Sequence, residues 1–329
     1  ALACTSAVAD SPQQMASIGD LELSSGETLL DARVGFRTTG TLNPDKSNVI
    51  VFLTWFTGTT GSLVKWEKIG PGKLADSDRF YVIAIDALGN GVSSSPSNSP
   101  QQSGKQFPSI SIADMVNSQY ALLTQHLGIS RAYAVMGISM GGMQTFRWMG
   151  QYPGFMNKAI AIDGSPAPTS YDLLQWRTHE TAILMMQEAG IGNPDIMKFT
   201  STLSLLTLWT PGYFVEKITP DALPEFIADS TQDSGEGNAN DYLAQLRAMI
   251  SHDVYATDSP DETPYLERVR ADLLVIGTND DHMVNQAPGE ILSRSLNEDH
   301  VALESNCGHL GSSCEGAQVL QAVHSFLDK

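Results

Sequence analysis

Residues 132–153 read AYAVMGISMGGMQTFRWMGQYP, and the order of signals within them sets the architecture. Ala134, Val135 and Met136 belong to an apolar run of small and branched residues, which predicts a buried strand. The run ends in Gly137-Ile138-Ser139-Met140-Gly141. Met143, Phe146, Trp148 and Met149 then recur at helical spacing until Tyr152-Pro153 stops them. Strand, sharp turn and helix follow one another, with a serine at the apex.

In that context a G-x-S-x-G pattern carries meaning. Its glycines leave room for a turn so tight that the serine backbone is strained and the hydroxyl projects from the top of a sheet. The N-terminus of the next helix points N–H donors at developing negative charge. The plain alternative is a Gly/Ser-rich turn without chemistry. The strand before, the helix after and the extra Gly142 favour a nucleophile.

Outward from this element, residues 18–41 alternate polar and apolar about Ser24-Ser25-Gly26, which predicts an antiparallel hairpin at a sheet edge. Residues 48–53 and 80–86 read as buried strands. The first runs into a glycine-bearing loop, 54–61, where such folds find a second oxyanion donor. The second runs into 87–100, dense in turn formers and expected beside the site. Residues 112–127 have helical periodicity and end at Gly128. Residues 159–163, 273–277 and 301–304 are further strands, and 317–327 closes the chain as an amphipathic helix. Between them, 170–263 is helical and loop-like. The expected fold class is α/β, a mostly parallel central sheet flanked by helices with right-handed crossovers. A helical cap is expected over the strands' C-terminal ends. The expected division is a tether or processed-signal remnant over 1–15, a core of 16–169 and 264–329, and a cap of 170–263.

The 329 residues suit one such domain carrying an insertion. No stretch approaches the about 18–20 uninterrupted apolar residues of a membrane span. With 37 acidic against 19 basic residues the net charge is −18, a surface that repels phosphate backbones and argues against nucleic acid as a partner. Ala1-Leu2-Ala3-Cys4 and the Ser/Ala/Gln-rich run to residue 14 read as the remnant of an export signal. A periplasmic or secreted chain is expected, with Cys4 a candidate lipid anchor; a cytoplasmic chain with an added end is the alternative. Cys307 and Cys314 form a disulfide candidate in an exported protein, two reduced thiols being the alternative. Zinc has little support, since only His309 lies between them.

Thr278-Asn-Asp-Asp-His-Met-Val284 follows the 273–277 strand, and a carboxylate there is the expected third member of a Ser–Asp–His order. Asp280 and Asp281 both qualify. Of seven histidines, His309 alone sits on a Gly-preceded loop after the final strand, which makes it the candidate general base. His126, His252, His300 and His324 read as helix-end, cap, strand-flanking and helix positions.

Leu23-Ser-Ser-Gly-Glu-Thr-Leu29, Gly40-Thr-Leu-Asn-Pro44 and above all Gly137-Ile-Ser-Met-Gly-Gly-Met-Gln144 resemble the homoserine O-acetyltransferase branch of the α/β-hydrolase superfamily. Ser251-His-Asp-Val254 and Gly308-His309 extend the likeness. The resemblance implies a Ser139/Asp281/His309 triad, because Asp281-His-Met-Val matches the superfamily's Asp-x-hydrophobic-hydrophobic pattern. It also implies an oxyanion hole from the N–H groups of Phe56 and Met140. Trp55 and Arg177 are the candidate substrate contacts, Arg177 in the role of a carboxylate-binding arginine. The chain departs from the acetyltransferase pattern at Thr54-Trp-Phe-Thr-Gly58, at Gly308-His-Leu-Gly-Ser-Ser313 and in the Gly89–Asn98 loop, which looks like that of the family's hydrolase-like members. Leu310 replaces an Asp suited to an amino-acid substrate.

Three functions therefore compete. A serine hydrolase cleaving a small ester or related acyl compound through an acyl-enzyme is favoured. An O-acyltransferase using acetyl-CoA is the alternative, and a non-catalytic binding protein on the same fold is the third. No cofactor or metal is implied. The expected partner is a small acyl substrate, with a homodimer as an open possibility.

Overall fold

The computed structural model describes residues 11–256 and 262–329. The Ala-Leu-Ala segment and Cys4 lie outside the described residues. Strands β1 (Gln14–Glu22) and β2 (Thr28–Thr39) form the predicted hairpin. They are followed by β3 (Val49–Leu53), β4 (Tyr81–Ile85), β5 (Ala132–Ile138), β6 (Met156–Ile162), β7 (Asp272–Thr278) and β8 (Asp299–Leu303). These make one eight-stranded sheet in the order β1-β2-β4-β3-β5-β6-β7-β8. β1, β2 and β4 pair antiparallel; every pair from β4 to β8 is parallel.

The central parallel strands β3, β4, β5 and β7 read as largely apolar runs because both faces are covered. Val49, Val51, Leu53, Val135, Ala159, Ala161, Leu273 and Val275 face one side. Ile50, Phe52, Ala134, Met136, Ile160, Ile162, Leu274 and Ile276 face the other. Helix α1 (Thr60–Lys65) covers the second face through Leu63. α2 (Ile112–Ala121) and α3 (Met140–Gln151) cover the first, with Phe146, Trp148 and Met149 fully buried.

Between β6 and β7, 170–250 contains helices joined by turns and short loops and no strand, with α4 (Ser170–Glu188), α5 (Asn193–Leu208), α6 (Pro211–Lys217), α7 (Leu223–Ser230) and α8 (Ala239–Ile250). Side chains of this segment grip loops that leave the C-terminal ends of the parallel strands. Gln175 donates to the carbonyls of His282 and Met283, and Thr210 donates to the Asn306 carbonyl. α9 (Tyr265–Arg268), α10 (Ala287–Leu296), α11 (Gly311–Cys314) and α12 (Gly316–Leu327) complete the chain. Among the described residues no helix is long and apolar enough to cross a membrane.

Of the expected tether over 1–15, residues 1–10 lie outside the described residues, and the described end is corrected: Gln14 and Met15 already belong to β1, with Ser11 and Gln13 tied to the sheet beside it. Ser11 donates to the Thr38 carbonyl, and Gln13 donates to the buried Asp86 carboxylate. A polar composition is compatible with an edge strand because ladder bonds are made by backbone. His300, read as flanking the last strand, lies inside β8.

The serines of the 87–100 loop have a structural use. β2 pairs with β4 only from Phe36 to Thr39. Farther along, Ser93 and Ser94 hydroxyls accept the N–H groups of Gly35 and Arg33, each at 2.9 Å, where the ladder no longer does.

Candidate active site

Ser139 stands between β5 and α3 with φ 58° and ψ −122°, a conformation that costs a non-glycine residue on the order of 1–3 kcal/mol. The glycines around it are required by contact. A Cβ on Gly137 would lie 2.2 Å from the Gly141 carbonyl oxygen, and one on Gly141 would lie 2.5 Å from that of Leu53. Gln144 donates to the Thr54 carbonyl at 3.0 Å, so the elbow helix also holds the start of the loop after β3. A hydrogen-bonded line from Gln144 through Gln119 to the Trp148 indole keeps that amide in place.

His309, on the loop after β8, approaches Ser139 Oγ through Nε2 at 2.8 Å and Asp281 Oδ2 through Nδ1 at 2.6 Å. All three residues are less than a tenth exposed. The second oxygen, Asp281 Oδ1, accepts the N–H groups of Met283 and Val284 at 2.8 and 2.9 Å. The Asp-x-hydrophobic-hydrophobic pattern is thus a turn that wraps its own carboxylate. Asp280 points to solvent. With Asp281 accepting from Nδ1–H, Nε2 is left as the acceptor for the serine proton.

Burial alone pushes the His309 imidazole down. The Asp281 charge and hydrogen bond, with the charges of Asp163 and Asp172, outweigh it and hold the imidazole above its ordinary range. Asp163 is a further carboxyl that the motif reading did not assign. It follows β6 directly with φ 46°, is 2% exposed and accepts from Thr278 Oγ1 at 3.1 Å. Burial first, then the Asp281 charge, raise it to about 6. The available signal was the one used for Asp281, a carboxylate straight after a parallel strand, here in Ala159-Ile-Ala-Ile-Asp163.

The two expected oxyanion donors are both unengaged. Among the described residues neither Met140 N–H, at the start of α3, nor Phe56 N–H, in the turn after β3, has an acceptor. Trp55 is half-buried beneath that turn, its indole where a Cβ on Gly58 would fall. Arg177 lies on the exposed face of α4, which turns Asp172, Trp176, His179 and Ile183 inward. It is not brought to the serine, histidine or aspartate by any contact of its side chain.

Cys307 and Cys314 are joined by a disulfide with Cα atoms 6.5 Å apart, bracketing His309. Closing so short a loop stabilises the fold by about 2–3 kcal/mol, whereas a misplacement of about 1 Å at a reacting group costs on the order of a hundredfold in rate. Reduction is therefore expected to slow turnover about tenfold or more while the melting temperature falls only a few degrees. Activity assays and calorimetry with and without reductant check this, alongside thiol titration of the unfolded, unreduced chain. Three free thiols, or full activity after the bridge is cut, contradicts it.

Residues 49–313 match the family described as alpha/beta hydrolase fold. A Corynebacterium glutamicum protein titled "Probable esterase Cgl0839" is 38% identical over 169 residues, 51% of this chain and 48% of that protein. The match thus spans about half the length of that relative. A homoserine O-acetyltransferase of Methanosalsum zhilinae is 28% identical over 355 residues, 94% of this chain and 71% of the relative. The solved structure of the acetyl esterase MekB superposes with a TM-score of 0.87 at 27% identity, covering 96% of this chain and 95% of that one.

Proposed function

The chain belongs to the alpha/beta hydrolase fold family, and from that premise we propose that it is a serine esterase acting on small acyl esters. The observation that carries the reading is the unbroken hydrogen-bonded line from Ser139 Oγ through His309 to Asp281. In this mechanism His309 Nε2 takes the Ser139 proton as Oγ attacks the ester carbonyl. The N–H groups of Met140 and Phe56 stabilise the tetrahedral oxyanion. The imidazolium, held by Asp281, then protonates the departing alcohol, leaving an acyl group on Ser139. Water, deprotonated by His309, releases the acid and restores the enzyme. The helices between Ser170 and Ile250 act as a cap over this site. The esterase titles of the C. glutamicum relative and the MekB structure support the small-ester assignment.

The second reading, an O-acyltransferase, is favoured by the M. zhilinae relative, which matches over nearly the whole chain. Residues where the chain departs from the acetyltransferase pattern argue for water as the acceptor. Thr54 is fully buried and its hydroxyl accepts the Ala87 N–H at 3.1 Å, so it is committed to the fold. Leu310 brings no charge beside His309. Incubation with acetyl-CoA and homoserine is expected to yield no O-acetylhomoserine above background, while p-nitrophenyl acetate is hydrolysed. O-acetylhomoserine formed faster than simple ester hydrolysis reverses the order of the two readings.

A further inference from the structure

Helix α8 sends one fully buried amide into the site. Gln245 has no exposed surface. Its Oε1 accepts the Thr57 N–H at 2.8 Å, and its Nε2 donates to the Leu88 carbonyl at 3.0 Å. The two ends of one side chain therefore tie the loop after β3 to the loop after β4. Both belong to a residue 188 positions away in sequence from Thr57.

The turn so held needs holding. Thr57 has φ 59°, in the left-handed region that a β-branched residue adopts only under constraint. Gly58 N–H closes back on the Trp55 carbonyl at 2.9 Å. Phe56, between them, sets its ring edge-on against Tyr242 of the same helix, centroids 4.5 Å apart. Asn90 donates to the Gly58 carbonyl from the other side. The Leu88–Gly89 backbone packs so closely on Gln245 that a Cβ on Gly89 would lie 3.0 Å from its Cγ. What these contacts aim is the Phe56 N–H, which itself has no acceptor among the described residues.

We propose that Gln245 is a positioning residue of the oxyanion hole: by accepting the Thr57 N–H it fixes the neighbouring Phe56 N–H toward the ester oxygen. This rests on the serine-esterase reading. It goes further in making acyl transfer depend on helix α8, an element that contributes none of Ser139, Asp281 or His309. No other residue type serves as well. An apolar side chain leaves the Thr57 N–H and the buried Leu88 carbonyl without this partner, and an ionised Glu keeps only the first bond. Since the interaction acts on a donor used in the transition state, its loss falls on kcat rather than KM.

The test compares wild type with Gln245→Met and Gln245→Glu. The readouts are kcat and KM for p-nitrophenyl acetate, melting temperature and amide hydrogen exchange across residues 54–58. Removing an oxyanion donor outright costs on the order of 10²–10³ in kcat, so a displaced one is expected to cost about 10–100-fold. Gln245→Met should show that loss with KM within about twofold, and Thr57 exchange at least about tenfold faster. Gln245→Glu, which keeps the acceptor for Thr57, should recover most of both. A folded Gln245→Met enzyme with kcat within about twofold of wild type overturns the proposal, as does Thr57 exchange equal to wild type. A lowered melting temperature alone, with kcat intact, assigns Gln245 a purely structural role and also overturns it. If neither variant folds, rapid exchange of Thr57 in wild type overturns the proposal and slow exchange supports it. Absence of ester turnover and of Ser139 acylation in wild type instead marks failure of the esterase reading, which the exchange measurement distinguishes from failure of the Gln245 contact.

Discussion

Ser139→Ala is expected to lower ester turnover by about 10⁴–10⁶-fold, to whatever the oxyanion donors and binding achieve without a nucleophile. The size follows from the site. Ser139 Oγ lies 2.8 Å from His309 Nε2, and the residue is held in a strained conformation by a turn whose glycines touch backbone on two sides. Alanine keeps that backbone and deletes only the attacking oxygen, so binding of substrate should change little. A steady-state comparison of kcat/KM on p-nitrophenyl acetate, with melting curves to establish folding, reads the effect. Turnover within about tenfold of wild type transfers the nucleophile to another residue.

The next largest effect belongs to Asp281→Asn, expected to reduce kcat by about 10⁴-fold. The amide that replaces the carboxylate presents a donor or a neutral acceptor to His309 Nδ1 in place of a charge, so the imidazole is no longer held as the tautomer that accepts at Nε2. Asp281 also receives the Met283 and Val284 N–H groups. Part of the measured loss will therefore be turn geometry, and Asp281→Ala should be no better than Asn. Asp280→Asn, at the exposed neighbour, should stay within about threefold of wild type. Parallel kinetics on the two asparagine variants decide between the adjacent carboxylates; a larger loss at position 280 reverses the assignment.

The elbow was legible because all its signals are local: an apolar run, two glycines about a serine and a helical repeat within 22 consecutive letters of sequence. The strands were legible for a related reason. Burial on both faces leaves the central strands β3, β4, β5 and β7 few polar positions, so they stand out from amphipathic surroundings. His309 was reached by order along the chain, and the choice of Asp281 over Asp280 by resemblance. The wrapped turn explains that choice physically.

What sequence did not yield depends on which distant segments meet. Gln245 sits in an ordinary helical run and gains its role only from Thr57 and Leu88, contributed by other loops. Asp163 carried a usable signal, a carboxylate ending a strand, yet its elevated titration comes from burial beside Asp281. Helix α10 opens on Ala287-Pro288-Gly289, where Pro and Gly read equally well as a turn; Pro is accommodated there because the first turn needs no intrahelical N–H. The first strand begins within residues whose polarity matches a tether, since an edge strand needs few apolar side chains.

The central claim is that acyl transfer passes through Ser139, and trapping the intermediate tests it most directly. Enzyme mixed with excess p-nitrophenyl acetate, quenched in acid within the first turnovers and digested, should carry one acetyl group, mapped by mass spectrometry to the peptide containing Ser139 and missing from the Ser139→Ala enzyme. Acetyl found on another side chain, or an unmodified Ser139 peptide from enzyme that is visibly turning over, would contradict the account.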